Sequence, residues 1–166
     1  MYNTATSARI STPVARTLCQ PIGDNQASEP LASQVQLDRQ FMVLLDAFRN
    51  TGGLARAQEV FTLYRSRHGA DVATLARWIV RREIISFDWQ SKVWIPLFQF
   101  ERTTMTLQPG LDCILSVLNP IFKPEEIAVW FAQPSRWLLD RTPADMLGAD
   151  ANAVLKVACM DRFISV

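Results

Sequence analysis

The feature that most constrains this chain is a change in the spacing of its apolar residues. From Gln34 to about Arg82 they recur at helical intervals. At Ile85, Phe87 and Trp89 they alternate, a run from Val93 to Phe100 follows, and beyond Pro109 the helical interval returns. Helices must therefore pack around one short β element. The expected class is mainly α with minor β: a helix-turn-helix-like bundle, one β-hairpin and a C-terminal helical subdomain. At 166 residues, 49% of them apolar, the chain is long enough to bury a core.

Punctuation residues divide the pattern. Residues 1–33 are rich in Ser, Thr, Pro, Ala and Gln, without sustained periodicity, and read as a flexible tail. The segment 34–100 reads as the helix-turn-helix-like part with its hairpin, and 101–166 as the C-terminal helical part. Leu37, Phe41, Leu44, Leu45 and Phe48 make one helical face, stopped by Asn50-Thr51-Gly52-Gly53. A second helix is expected from Leu54 to Ser66 and a turn at His68-Gly69-Ala70. A third helix follows over Val72–Arg82, with Asp71 as N-cap. Its inward positions read as Val72, Leu75, Ala76 and Ile79, leaving Thr74, Arg77, Trp78 and Arg81 on the other side.

The hairpin is expected to turn at 90–92, with Pro96 at an edge, a bulge or a strand end, because proline cannot donate to a ladder. Leu111, Ile114, Leu115 and Leu118 mark the next helix, and Pro124 opens another that Pro134 ends. Thr142, Pro143 and Asp145 form a helix start. Asp150 caps a last helix over 151–161 with Val154, Leu155 and Ala158 inward.

Catalytic and metal chemistry find little to work with. There is no glycine-rich phosphate loop and no nucleophile elbow. The lone His68 and the scattered Cys19, Cys113 and Cys159 match no familiar zinc spacing or disulfide framework, and Cys113 and Cys159 read as core residues. The expectation is a protein that is not an enzyme and carries no cofactor or metal. No stretch approaches the ~20 apolar residues of a membrane span. Together with the missing signal core, this points to a cytoplasmic location.

Two binding readings remain. Residues 54–83 carry six arginines against Glu59, Asp71 and Glu83, on a chain of net charge +1. A helix pair followed by a hairpin has a winged helix-turn-helix outline. In it Thr74, Arg77, Trp78 and Arg81 would meet operator DNA. The other reading rests on the loop between Pro134 and Pro143. A stiff loop presenting Arg136, Trp137 and Arg141 lowers the ordering cost of binding a protein partner.

Two strings carry a resemblance. Ile84-Ile85-Ser86-Phe87-Asp88-Trp89, continued by Trp94-Ile95-Pro96-Leu97-Phe98-Gln99-Phe100, is similar to the hairpin and P-x-F-Q-F segment of the Xre/MbcA/ParS antitoxin family. The string from Trp130 to Leu147 resembles that family's toxin-binding signature, a Trp-containing helix followed by an Arg-Thr-Pro helix start. The resemblance covers about Leu54 to Phe163. It departs at Pro134-Ser135, at Asp140 where glycine is common, and at a hairpin turn without glycine, as in a diverged branch. It implies a toxin–antitoxin role in which the C-terminal helices neutralise a partner, in the family an NAD-consuming RES-domain toxin. The partner-binding set it implies is Trp130, Arg136, Trp137, Arg141, Asp161, Arg162 and Phe163. Operator binding and homo-oligomers are compatible with it.

Overall fold

A computed structural model describes residues 29–68 and 72–164. Cys19, most of the expected N-terminal tail, and the Gly69-Ala70-Asp71 turn and cap lie outside the described residues. Among the described residues, seven α-helices and three strands follow in chain order: α1 Glu29–Ala47, β1 Leu54–Arg56, α2 Ala57–His68, α3 Val72–Val80, β2 Phe87–Trp89, β3 Lys92–Pro96, α4 Leu111–Leu118, α5 Pro124–Ala132, α6 Pro143–Leu147 and α7 Ala151–Ile164. The class is mainly α with a small antiparallel sheet, as expected.

Helix α1 starts five residues before Gln34. Pro30 falls in its first turn, where a missing N–H costs no helical bond. Gly52 and Gly53 end this region at φ +113° and +83°, backbone that glycine adopts freely. A Cβ on Gly52 would also lie 3.1 Å from the Leu97 Cβ.

Leu54–Arg56 is a strand, not the start of α2. It pairs antiparallel with β3, Ala55 opposite Ile95 and Arg56 opposite Trp94, giving the order β1-β3-β2. Pairing satisfies an edge that a lone hairpin would leave open. The Glu59 carboxylate accepts from the Arg56 N–H at 2.8 Å, so the strand passes directly into α2. The β2–β3 turn is the two-residue Gln90-Ser91, both at positive φ, the geometry that matches strand twist. Pro96 ends β3, as expected.

Two apolar clusters form. The smaller gathers Ala55, Val60, Tyr64, Leu75, Ile84, Ile95, Phe100 and Met105 under α2 and α3. The larger joins Phe41 and Leu44 of α1, and Phe48 just past its end, to Phe87, Phe98 and the inner faces of α4–α7. It therefore runs across residue 100. Gln99 is fully buried between the clusters. Its side chain accepts from the Ile85 N–H at 2.8 Å and donates to the Ile85 and Pro96 carbonyls, both at 2.9 Å. A buried amide so satisfied fixes one geometry between the hairpin and the chain after it.

The C-terminal caps form as the sequence indicates. The Thr142 hydroxyl accepts from the Asp145 N–H at 3.1 Å, and the Asp150 carboxylate accepts from the Ala153 N–H at 3.0 Å. The Glu126 carboxylate accepts from the Lys123 N–H at 2.7 Å at the start of α5. Cys113, expected in the core, is exposed on α4; Cys159 is half-buried. No helix among the described residues is long and apolar enough to cross a membrane.

Candidate functional site

Helix α5 stops at Ala132, and Gln133-Pro134 leads into a loop closed on itself. The Ser135 N–H donates to the Arg141 carbonyl at 3.0 Å, and the Asp140 N–H donates back to the Ser135 carbonyl at 3.0 Å. A single 3-10 turn, Arg136–Leu138, lies between, with the Ser135 hydroxyl accepting from the Trp137 N–H. Leu138 is buried and anchors the loop in the larger core.

Leu139 and Asp140 take φ of +58° and +59°. For residues with a Cβ this backbone costs roughly 1–2 kcal/mol each, somewhat less for Asp. The loop's hydrogen bonds and the Leu138 anchor hold it there. The result is unusual display: Leu139 is 88% exposed and Trp137 63%. Trp78, Trp89, Trp94 and Trp130 are all at least half-buried, so Trp137 alone of the five indoles is offered to solvent.

Beside this loop is an open groove of about 240 Å³, lined by Trp130, Gln133, Pro134, Ser135, Arg136, Trp137, Pro143, Val157 and Asp161. The Trp130 indole N–H donates to the Asp161 carboxylate at 2.7 Å, a charge-assisted strut from α5 to α7. Trp130 also sits edge-on to the fully buried Phe131. These contacts make Trp130 and Asp161 walls, with Arg136 and Trp137 as the displayed groups.

The structure thus brings together Trp130, Arg136, Trp137 and Asp161. Arg141 is exposed at the closing end of the same loop. Arg162 and Phe163 do not join them. At about 100° per residue, Phe163 points some 200° round α7 from Asp161. It is 84% exposed, away from the groove. Sequence reasoning missed Leu139; its positive φ leaves no mark in residue type, since glycine or asparagine would be the usual sign.

The second candidate face needs a larger correction. Thr74 is only 8% exposed, and Trp78 is half-buried with its ring 5.5 Å from Tyr64 and 6.5 Å from Phe100. Ala76, read as inward, is exposed. Helix α3 is therefore turned roughly 80° from the expected orientation. Burying the large Trp78 surface outweighs burying one methyl of Ala76. The outer face carries Ala73, Ala76, Arg77 and Val80, with Arg81 exposed just past the helix end.

Three of the other four arginines in 54–83 make contacts within the chain. The Arg82 guanidinium donates to the Asn119 and Phe122 carbonyls at 3.2 and 2.8 Å, while the Asn119 amide donates to the Arg82 carbonyl. Arg67 donates to the Thr103 carbonyl at 2.6 Å, and Arg56 lies over the Trp94 ring. Among the described residues no group of three His, Cys, Asp or Glu could hold a metal ion. Comparison with family models, curated proteins and solved structures finds no match to this chain.

Proposed function

We propose that this chain is an antitoxin-like binding module that neutralises or regulates a partner protein through the groove between α5, the Ser135–Arg141 loop and α7. The observation that carries the reading is the display of Trp137 and Leu139 on a hydrogen-bonded loop whose backbone is held in a costly conformation at Leu139 and Asp140. Aromatic and arginine side chains on a rigid frame are the usual anchors of a protein interface. The resemblance of Trp130–Leu147 to a toxin-binding signature supports the same face. It suggests a RES-domain partner that consumes NAD. The test is the partner's NAD consumption with and without this chain. The wild-type chain suppresses it, and Trp137→Ala with Arg141→Ala does not, while circular dichroism shows both folded. Equal suppression by the double variant refutes the site.

A second reading is a winged-helix-like DNA-binding regulator, located in the cytoplasm as the first reading also supposes. Strand β1 favours it: it precedes the helix pair and pairs with β3, so that one sheet frames α2 and α3 in the winged-helix manner. The face it offers is reduced to Arg77 and Arg81, flanked by Ala73, Ala76 and Val80. The reading predicts that Arg77→Ala with Arg81→Ala weakens binding to operon-upstream DNA and flattens its salt dependence. No binding at low salt would remove it.

A further inference from the structure

The outer face of α1 is apolar and charged in a self-complementary order. Val35, Met42 and Val43 are 51%, 64% and 63% exposed, while Phe41 and Leu44 bury the other side. Arg39 and Asp46 are exposed on the same face. At about 100° and 1.5 Å per residue, Arg39, Met42, Val43 and Asp46 fall within an arc of about 100°. The two charges are about 10 Å apart along the axis, with Met42 and Val43 midway between them.

We propose that this face is a homodimer contact, with α1 packed antiparallel against α1 of a second copy about a two-fold axis at Met42 and Val43. The charge order selects this occupant. In the antiparallel arrangement each Arg39 comes level with Asp46 of the second copy, twice per interface, and the apolar residues meet between the two pairs. A parallel arrangement would set like charge against like. A two-fold contact requires one patch to complement itself, and this patch does. Asp46 already meets Arg49 at 2.9 Å, but both side chains are about three-quarters exposed (74% and 75%). So solvated a pair is worth little, and sharing Asp46 with a second arginine costs little. One helix face is small against the roughly 1,200 Å² of a standard interface, so the dimer is a weak one. The proposal does not depend on what occupies the groove.

Sedimentation equilibrium of the full chain tests it. The wild type forms dimer at about 100 μM, and Met42→Glu returns it to monomer. Asp46→Arg alone and Arg39→Asp alone each weaken the dimer about tenfold. Arg39→Asp combined with Asp46→Arg restores it, because the pairs are rebuilt with their signs exchanged. Circular dichroism confirms that each variant stays helical. A monomeric wild type at that concentration, a dimer indifferent to Met42→Glu, or a double variant no better than the singles would overturn the proposal.

Discussion

Helix α3 and the Ser135–Arg141 loop both present arginine and apolar groups to solvent, but by different means. On α3 the outer face is what packing leaves over. Trp78 and Thr74 turn inward, and Arg77 remains outside on ordinary helical backbone, with Arg81 exposed in the turn just past it. In the loop the backbone itself is held at a cost, with Leu139 and Asp140 in left-handed conformation and their neighbours hydrogen-bonded across the loop. A surface left over can change without loss to the fold. A surface held at a cost is grounds for a hypothesis of use, which is why the proposed function rests on the loop.

The comparison breaks most readily at α3. Thr74→Arg forces a charge into the smaller core and should cost about 3 kcal/mol or more in chemical denaturation. Ala76→Arg on the outer face should stay within about 0.5 kcal/mol. The reverse ranking would mean that α3 faces as its periodicity first suggested. Next comes the scaffold under both regions. Gln99→Leu strands the Ile85 N–H and carbonyl in the interior, and should lower stability by about 2–3 kcal/mol.

A smaller effect sharpens the loop's side of the comparison. Leu139→Gly removes the cost of positive φ, partly offset by a freer unfolded chain. Stability should rise by about 0.5–1 kcal/mol while partner binding falls. A variant both less stable and fully able to bind would deny that strain is kept for display.

The smallest effect lies in the segment joining the two regions. Hydrogen bonds from Thr103, then Thr104, hold the Glu101 carboxyl down from its ordinary 4.5 to about 2. Its folded value is lowered, so its contribution is complete above the ordinary value and fades as pH falls from about 4.5 towards 2. Thr103→Val should move the Glu101 titration upward, as read by carbon-detected NMR.

What the sequence makes legible follows from locality. Caps at Thr142 and Asp150, the glycine stop after α1, the hairpin turn and the end of β3 at Pro96 each depend on a few adjacent residues, and each is found. The rotation of α3 depends on Tyr64 and Phe100, which are distant in the chain, so helical periodicity alone misplaces Thr74, Trp78 and Ala76. Strand β1 depends on β3 some forty residues later. Apolar Leu54 and Ala55 fit a helix equally well by pattern. In the candidate groove, Trp130, Arg136 and Trp137 could be read from one string. Phe163 could not be excluded until the orientation of α7 was known, and Leu139 could not be found at all.

The central claim is that the groove beside the loop, not the exposed end of α7, holds a protein partner. Tagged full-length chain and the single variants Trp137→Ala and Phe163→Ala, used as bait in native lysate, test it most directly. The account predicts one stoichiometric partner held by the wild type and by Phe163→Ala, and lost with Trp137→Ala. A partner that survives Trp137→Ala and leaves with Phe163→Ala would contradict it.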